Sequence, residues 1–454
     1  MVIGLDCASP ALVFDRFRAC MPHVSRLMER GTWGPLRSCI PPITVPAWAS
    51  MLSGLDPGQL GLYGLHDRRP GSYELDLVDS GRLPRSLVWD RLAAAGKRVA
   101  VLFVPPSYPP YEVNGELVSC FLTPGADYPH THPLDLAGEL GERFGPYLPD
   151  LAGFRHHDRD ALPEELERLA EQHFDIAEHL WQTRRPDCLI MVEIGLDRLH
   201  HAFWHHLFPE GKASERDRHY EEVCRRYYRL IDRRVGRLAG LADEHTALLL
   251  VSDHGARGLR GGICLNELLI ASGWLQLERY PDRPTPLSEL RVDWNHTRAW
   301  GEGGYHGRVF LNLASREPEG VVDPADYLSE RERLARLLGS VAGPDGRPLQ
   351  NRVLAPEQCY TEVNGNPPDL LVFFDDLGFR SIGSVGHATI HTPRNDRGPD
   401  GCNHHWDGIL VMASGNAPRR GRIDGAVIGD VAGTILGLMQ LPVPAALART
   451  DRSR

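Results

Sequence analysis

Carboxylates, imidazoles and one threonine hydroxyl recur in this chain at the ends of apolar, strand-like runs. Such groups are common ligands of divalent cations, and a threonine hydroxyl becomes a nucleophile when a base or a cation stabilises its alkoxide. In an open α/β sheet, ligands bind beyond the carboxyl ends of the strands. We therefore expect distant segments to form one site for two divalent metals and a hydroxyl nucleophile. The candidate residues are Asp6, Thr44, Asp197, His201, Asp253, His254, His404 and His405.

Each of these motifs is weak when taken alone. Asp197 and His201 are four residues apart, which places both on one helical face, although a surface Asp–His pair has the same spacing. His205 continues that face as either a substitute ligand or a residue at the edge of the core. Asp253 and His254 follow a strand-like run, and a turn of this kind can also cap the next helix. Their joint occurrence in this order favours the metal site.

Thr44 directly precedes a predicted helix over residues 45–52. A threonine in this place is most often the N-cap, whose hydroxyl accepts a hydrogen bond from the helix backbone. The N-cap and nucleophile interpretations are compatible, because a helix N-terminus offers unpaired N–H groups and a positive potential to a bound phosphate.

Four side chains are candidates for contacting a substrate. Ala47 leaves space near Thr44, and Trp48 offers an indole that can stack on a base or line an apolar pocket. Arg68 follows the nucleophile helix and Arg308 lies in a later strand-like segment, and guanidinium groups bind phosphate in a bidentate manner. Arginine supplies nearly all of the positive charge, so each one is more often a solvated surface residue.

The composition fits a large folded enzyme and argues against several other classes. The chain has 454 residues and a net charge of −10, whereas nucleic-acid scaffolds collect basic charge on one face. No apolar run reaches the roughly 18 to 20 residues of a membrane span. The nine cysteines are scattered without a C-x-x-C pair, which argues against a disulfide framework or a zinc knuckle. We expect a cytoplasmic protein without membrane association, and its oligomeric state is left open.

Strand-like and helix-like segments alternate along most of the chain. This alternation predicts an α/β fold with a mainly parallel sheet that helices cover on both faces. A helix over residues 21–30 is expected to end at Gly31, where glycine can take positive φ. The main predicted strands are residues 2–5, 99–104, 188–195, 247–252 and 409–413, and the main predicted helices are residues 45–52, 87–95, 162–183 and 216–241.

Two stretches interrupt this pattern within what we predict to be a single catalytic domain over residues 1–454. Residues 126–160 have no clean period, and residues 275–390 hold Pro-rich segments, a strand-like run at 305–313 and a helix at 324–338. Loops on a rigid scaffold often carry specificity, so the first stretch is a candidate lid and the second a candidate substrate-binding insertion. Surface elaboration is the alternative for both.

Taken together, these blocks resemble the type I phosphodiesterase/nucleotide pyrophosphatase group of the alkaline phosphatase superfamily. The resemblance rests on residues 2–6, 44–48, 197–201, 252–255 and 403–408, which keep the family order over nearly the whole chain. It implies an alkaline-phosphatase-like fold with two metal sites. One site would hold Asp197, His201 and a histidine of the last block, for which the family pattern favours His404 over His405. The other would hold Asp6, Asp253, His254 and the oxygen of Thr44.

The implied activity is metal-dependent hydrolysis of a small phosphodiester or nucleotide-like anhydride through a covalent threonyl-phosphate. Two cations about 4 Å apart can stabilise the threonine alkoxide and the attacked and leaving oxygens. Mixed histidine and carboxylate ligands suit zinc, with manganese or iron as alternatives. At Ala47 the sequence departs from many diesterases of this group, which have an asparagine there. A phosphomonoesterase or phosphotransferase on the same fold is one alternative, and a non-catalytic metal-binding protein is another.

Overall fold

The computed structural model describes residues 1–151, 153–209, 211–414 and 421–448. The α-helices in these residues are α1 (Pro22–Arg30), α2 (Thr44–Ser53), α3 (Pro57–Leu60), α4 (Val88–Ala94), α5 (Leu136–Phe144), α6 (Leu162–Arg184), α7 (Gly195–Leu207), α8 (Glu215–Leu241), α9 (Leu265–Ala271), α10 (Tyr327–Gly339), α11 (Pro356–Cys359), α12 (Asp430–Leu438) and α13 (Ala445–Ala448). Short 3₁₀ and π segments add Ala11–Arg16, Arg18–Cys20, Ser80–Arg82, Phe154–His156, Leu287–Glu289, Pro324–Asp326 and Phe374–Leu377. Within the described ranges, the helices are all too short or too polar to cross a membrane.

The strands are β1 (Val2–Leu5), β2 (Thr32–Arg37), β3 (His66–Arg68), β4 (Leu75–Leu77), β5 (Val99–Leu102), β6 (Gly115–Val118), β7 (Thr131–His132), β8 (Cys188–Glu193), β9 (Leu248–Val251), β10 (Gly255–Gly258), β11 (Gly262–Cys264), β12 (Ala299–Glu302), β13 (Gly307–Leu311), β14 (Arg352–Leu354), β15 (Leu370–Phe373), β16 (Arg380–Ile382), β17 (His391–Thr392), β18 (Cys402–His405), β19 (Asp407–Ala413), β20 (Gly421–Arg422) and β21 (Ala426–Val427). All of the main predicted strands and helices are present, with ends that differ by a few residues.

The chain divides into two compact units. The first unit comprises Met1–Leu60, Val78–Ala256 and the described residues from His404 onward, and the second comprises Gly61–Leu77 and Arg257–Asn403. The candidate lid at residues 126–160 belongs to the first unit, and its residue 152 lies outside the described residues. The candidate insertion at residues 275–390 belongs to the second unit.

The first unit is built on a mixed, mostly parallel sheet with the strand order β20-β2-β19-β9-β1-β8-β5-β6-β7, and β21 pairs with β2. This confirms the predicted α/β fold class. The central strands β1, β8 and β9 run parallel to one another and are buried along their whole length. Apolar runs without alternation form such strands, because both faces of the sheet are covered.

The register of the central strands brings the candidate ligands to one edge of the sheet. Leu5 of β1 lies opposite Glu193 of β8, and Gly4 lies opposite Val251 of β9. The segments that carry Asp6, Asp197 and Asp253 therefore leave the sheet at nearly the same level. The antiparallel strand β19 begins at Asp407 on this edge, since its Leu410 already lies opposite Val251.

Gly31 follows α1 but does not have the predicted positive φ. Its backbone is extended, with φ −128° and ψ −156°. A Cβ at this position would lie 2.0 Å from the backbone oxygen of Met412. Glycine is needed here because β19 passes close to the end of the helix, rather than because the chain turns through a left-handed conformation.

The candidate lid is held to α6 by hydrogen bonds. The side-chain amide of Gln172 donates to the carbonyls of Phe144 and Pro146 and accepts from the N–H of Leu148. His173 Nε2 lies 2.8 Å from the carbonyl oxygen of Leu148. Residues 144–148 are thus fixed to α6 by part-buried hydrogen bonds. The lid function of the longer stretch stays a prediction.

The second unit has its own sheets and its own apolar core. A four-stranded antiparallel sheet has the order β12-β13-β15-β14, and β16-β11-β17 forms a smaller sheet. Trp300 and Phe310, from adjacent strands, are almost fully buried in the core, and Leu334 of α10 packs in the same cluster. The predicted strand at 305–313 and helix at 324–338 are confirmed as β13 and as a 3₁₀ turn followed by α10.

Candidate metal centre and active site

Two compact groups of ligand atoms lie in the first unit. We call Asp6, Asp253 and His254 the two-carboxylate group, and Asp197, His201 and His404 the two-histidine group. In each group, one ligand atom from every residue lies within 4.8 Å of the others. All of these residues are at most 2% exposed. The structure thus brings together the residues that the sequence predicted, although their role as metal ligands stays a prediction.

Short distances define the interior of each group. In the two-carboxylate group, His254 Nε2 lies 3.1 Å from Asp253 Oδ2 and 3.8 Å from Asp6 Oδ1. In the two-histidine group, Asp197 Oδ1 lies 3.2 Å from His201 Nε2 and 3.6 Å from His404 Nε2. The rings of His254 and His404 stack with centroids 3.7 Å apart, so the two groups adjoin.

Each of the three carboxylates has one oxygen held by the protein. Trp48 Nε1 donates to Asp6 Oδ2 at 2.8 Å, the backbone N–H of Cys7 donates to Asp253 Oδ1 at 3.1 Å, and Arg198 Nη1 donates to Asp197 Oδ2 at 2.5 Å. The other oxygen of each carboxylate is buried and accepts no hydrogen bond from any described residue. Buried carboxylate oxygens without a hydrogen bond are costly, and one divalent cation in each group would satisfy all three.

Backbone carbonyls set the tautomers of two histidines. His254 Nδ1 lies 3.1 Å from the carbonyl oxygen of Gly255, and His404 Nδ1 lies 2.8 Å from that of Pro42. Because a carbonyl can only accept, each Nδ1 carries the proton in the neutral ring, and each Nε2 has a lone pair directed into its group. Ligating histidines usually have their second nitrogen bound in this way. The donor set therefore fits two divalent cations.

Burial and neighbouring charges shift the pKa of the carboxylates in opposite directions. Burial raises the pKa of Asp6 and of Asp253 well above the usual range, and the negative charges of nearby aspartates raise both further. Burial also acts to raise the pKa of Asp197, but His201, Arg198 and His404 outweigh it, so this pKa falls well below the usual range. Burial lowers the pKa of His254 to about 4, which keeps its ring neutral at pH 7.

Thr44 faces the two-carboxylate group. Its Oγ1 lies 3.3 Å from His254 Nε2. Thr44 is the first residue of α2, Ile43 occupies the N-cap position, and the helix has no side-chain cap. The predicted N-cap role of Thr44 is therefore wrong. Because the hydroxyl is directed at His254, it does not bond to the helix backbone.

His404 and His405 differ in their surroundings although they are adjacent. His404 belongs to the two-histidine group and its side chain is 1% exposed. The side chain of His405 is 38% exposed, and its Nδ1 accepts from the backbone N–H of Asp407. Successive side chains of a strand point to opposite faces, so only one of the two can reach the group. His205 on α7 is also exposed and lies in neither group.

Ala47 and Trp48 are held inside the first unit, and their predicted contact with a substrate stays a prediction. Both side chains are fully buried, at 0% exposure. Trp48 packs against the end of β1, where a Cβ on Gly4 would lie 2.4 Å from its ring, and its N–H is bound to Asp6. The observed contact of the indole N–H is thus with a carboxylate of the two-carboxylate group.

Arg68 and Arg308 lie in the second unit and are engaged there. The guanidinium of Arg68 forms an ion pair with Glu317, and both side chains are at most 1% exposed. Arg308 donates to the carbonyl oxygen of His66 and lies 3.8 Å from Asp67. The contacts observed within the second unit give these arginines a structural role, and their contact with substrate stays a prediction.

Sequence reasoning missed the residues that support the ligands. Arg198 donates to Asp197 and also, through two nitrogens, to Asp150, and its guanidinium lies 4.9 Å from the ring of Phe154. Glu193 is a fully buried acid at the end of the otherwise apolar strand β8. An acid at the end of an apolar run was the available signal for Glu193, whereas the role of Arg198 had no signal beyond its adjacency to Asp197.

Comparison with known proteins gives a consistent assignment. A family model described as type I phosphodiesterase/nucleotide pyrophosphatase matches residues 1–400. A search of the curated proteins found no match. Phosphonoacetate hydrolase from Sinorhizobium meliloti 1021, solved with phosphonoacetate, is similar with a TM-score of 0.62 at 17% identity, over 95% of this chain and 93% of that chain.

Two mammalian structures have the same fold. Human ectonucleotide pyrophosphatase/phosphodiesterase 5 has a TM-score of 0.57 at 11% identity, over 97% of this chain and 95% of that chain. An inactive threonine-to-alanine variant of the murine protein, in complex with AMP, has a TM-score of 0.56 at 11% identity, over the same shares of the two chains. At these identities the structural similarity shows a shared fold.

Proposed function

Because the chain belongs to the type I phosphodiesterase/nucleotide pyrophosphatase family of hydrolases, we propose that it cleaves small phosphodiesters or nucleotide-like phosphoanhydrides with Thr44 as the nucleophile. The observation that carries this proposal is the convergence of ligand atoms on a hydroxyl. Asp6, Asp253 and His254 direct their free atoms to one place, and Thr44 Oγ1 lies 3.3 Å from His254 Nε2.

Each ligand group would hold one divalent cation, with zinc as the first expectation and manganese or iron as alternatives. When bound, the two cations would neutralise the buried carboxylates, stabilise the threonine alkoxide and polarise the phosphoryl oxygens. Three buried carboxylate oxygens without hydrogen bonds to described residues support this proposal, as do the two tautomers set by Gly255 and Pro42.

In the proposed reaction, Thr44 Oγ1 forms a bond to phosphorus while the bond from phosphorus to the leaving oxygen breaks. Thr44 loses its hydroxyl proton to solvent, and the leaving oxygen takes up a proton from solvent, so the protons balance. Water then cleaves the threonyl-phosphate and restores the hydroxyl. An inactive murine relative with a threonine replaced by alanine, solved with AMP, supports a threonine nucleophile and a nucleotide-like substrate.

The first turn of α2 can bind the phosphoryl oxygens. Thr44 and Val45 occupy the first two helical positions, where backbone N–H groups have no intrahelical acceptor and the helix dipole favours an anion. Pro46 contributes no N–H, and the N–H of Ala47 already donates to the carbonyl of Ile43. We infer that the N–H groups of Thr44 and Val45 take the place of the asparagine that many diesterases of this group have at the position of Ala47.

The test is a substrate panel combined with metal removal. Purified protein is assayed with nitrophenyl phosphate monoesters, diesters and phosphonate esters and with dinucleotide anhydrides, before and after chelation. We expect a higher kcat/KM for the diester or nucleotide ester than for the monoester, and loss of turnover in chelator with recovery on adding zinc or manganese. A clear monoester preference would overturn the substrate class, and full activity without bound metal would overturn the mechanism.

A further inference from the structure

Glu193 is the last residue of β8, which pairs with β1 and leads into α7. Its carboxylate is fully buried at the end of β8, two residues before α7 begins. Oε1 accepts from the backbone N–H of Gly195 at 2.6 Å and from the hydroxyl of Tyr227 at 2.9 Å, and Oε2 lies 3.4 Å from the N–H of Leu196. The first turn of α7 is therefore held by a side chain of the preceding strand.

The helix that begins here carries both Asp197 and His201. The main chain of Glu193 contacts the other group, because its carbonyl accepts from the N–H of Asp6 at 2.9 Å. Glu193 thus contacts both groups. Its side chain binds the start of the helix that carries Asp197 and His201, and its backbone carbonyl binds Asp6.

The packing at this point leaves no room for a side chain at position 195. A Cβ on Gly195 would lie 2.0 Å from the hydroxyl oxygen of Tyr227 and 2.5 Å from Glu193 Oε1. Tyr227 comes from α8 and is 1% exposed, so the carboxylate is closed in from both sides. Close packing of this kind transmits small displacements, because packed interiors have little free volume.

We propose that Glu193, together with Tyr227, is a positioning residue that sets the place of Asp197 and His201 relative to Asp6 and so makes the second metal site. This inference rests on the proposed two-metal function. A substitution of Glu193 should affect the two-histidine group alone. Any residue at position 193 keeps the backbone hydrogen bond to Asp6, whereas only a side chain with an acceptor atom holds the first turn of α7.

The experiment compares Glu193→Ala, Glu193→Gln and Tyr227→Phe in the full chain. Glu116→Ala is the matched control, since Glu116 is a buried carboxylate on β6 of the same sheet that pairs with Arg98 and Arg184 instead. Metal-free proteins are titrated with cobalt(II), and the two binding steps are followed by visible absorption and by elemental analysis, independently of turnover.

We expect Glu193→Ala to weaken the binding step of the two-histidine group by about 10- to 100-fold, the range seen when outer partners of metal ligands are removed. The step of the two-carboxylate group and the control should not change. Glu193→Gln keeps one acceptor oxygen and should stay within about threefold of wild type, and Tyr227→Phe should fall between the two. Adding His404→Asn to Glu193→Ala should cause no further change in the unaffected step.

Two results would overturn the inference. The first is wild-type affinity in both steps of Glu193→Ala, and the second is an equal loss in both. If Glu193→Ala does not fold, the titration of Tyr227→Phe is the test. Wild-type affinity in both cobalt-binding steps of that variant rejects the positioning role, and a loss confined to the step of the two-histidine group supports it. Wild-type protein that binds no cobalt would contradict the proposed function itself, which is a distinguishable outcome.

Discussion

The two-carboxylate group and the two-histidine group adjoin one another but compensate their charge in different ways. Asp6 and Asp253 receive hydrogen bonds from neutral donors, an indole and a backbone N–H. Asp197 receives its hydrogen bond from the guanidinium of Arg198 and faces two imidazoles. The protein thus supplies positive charge to the carboxylate of one group and leaves two carboxylates of the other group uncompensated.

This difference predicts that, if each group holds a cation, the two cations bind with different affinities. Two uncompensated carboxylates attract a cation more strongly than one carboxylate that already shares its charge with an arginine. Burial raises the pKa of Asp253 and acts to raise that of Asp197 as well, but the positive charges around Asp197 outweigh it, so the two pKa shifts have opposite directions. Thr44 faces the group with the greater negative charge, which is where a cation would be needed to stabilise its alkoxide.

The largest expected effect is at Thr44. Thr44→Ala should lower kcat by roughly three orders of magnitude or more, because it deletes the attacking oxygen. The two-carboxylate group keeps three other ligands, so metal content should fall only partly. Thr44→Ser, which restores a hydroxyl, should keep measurable turnover. Near wild-type hydrolysis by Thr44→Ala would show that water attacks directly. The position of Thr44 beside the two-carboxylate group would then have no role in the attack.

The next effect concerns the order of metal binding. We expect a titration of metal-free protein with zinc or cobalt to show two steps whose affinities differ by about 100-fold, equivalent to about 2.7 kcal/mol. Asp6→Asn should remove the tighter step and His404→Asn the weaker one. Loss of the tighter step in His404→Asn would show that the two-histidine group binds metal more tightly. Two equal steps in wild type would show that the two groups do not differ in affinity.

Much of this arrangement could be predicted from the sequence. Continuous apolar runs predicted β1, β8 and β9 as strands of a mainly parallel sheet, and the candidate ligands lie where those runs end. The family match covers residues 1–400, so the place of His404 rests on geometry. The choice between His404 and His405 depends on which face of β18 each side chain takes, and two adjacent histidines carry no periodic signal for that.

The supporting contacts could not be predicted, for a physical reason. Whether Trp48 contacts a substrate or a candidate ligand depends on which segment packs beside it, and α2 is buried from Val45 to Ser53, so it has no exposed polar face that would indicate a direction. Thr44 was placed one residue too early, at the N-cap, because helix ends are the least certain feature of a sequence pattern. The pairing of Arg198 with both Asp197 and Asp150 depends on tertiary contacts between distant segments.

A smaller effect is expected at the indole that holds Asp6. Trp48→Phe removes the hydrogen bond to Asp6 Oδ2 and keeps most of the apolar volume, so the tighter binding step should weaken by about 10-fold. The weaker step should not change, because the indole N–H of Trp48 donates to Asp6, which belongs to the two-carboxylate group. Trp300→Phe, in the core of the second unit, is the control for losing a buried indole. Equal weakening of both steps by Trp48→Phe would contradict the separation of the two groups.

The smallest effect is on the stability of the metal-free protein, and it should have opposite signs in the two groups. The folded pKa of Asp253 is raised above the unfolded value, so its contribution to stability is present below pH ~4 and is lost as pH rises through the folded pKa. The folded pKa of Asp197 is lowered, so its contribution is present above pH ~4 and is lost as pH falls through the folded pKa.

At pH 7 in chelator, Asp253→Asn should therefore raise the free energy of unfolding by about 1 kcal/mol, because it removes the cost of burying an ionisable carboxyl and its repulsion with Asp6. Asp197→Asn should lower it by about 1 to 3 kcal/mol, since it removes the charge that Arg198 and His201 face. Denaturant unfolding at pH 5 and pH 7 measures both changes, and the gain in Asp253→Asn should shrink at pH 5. If both variants shift stability in the same direction, then the two groups do not differ in charge compensation, and the order of metal binding must have another cause.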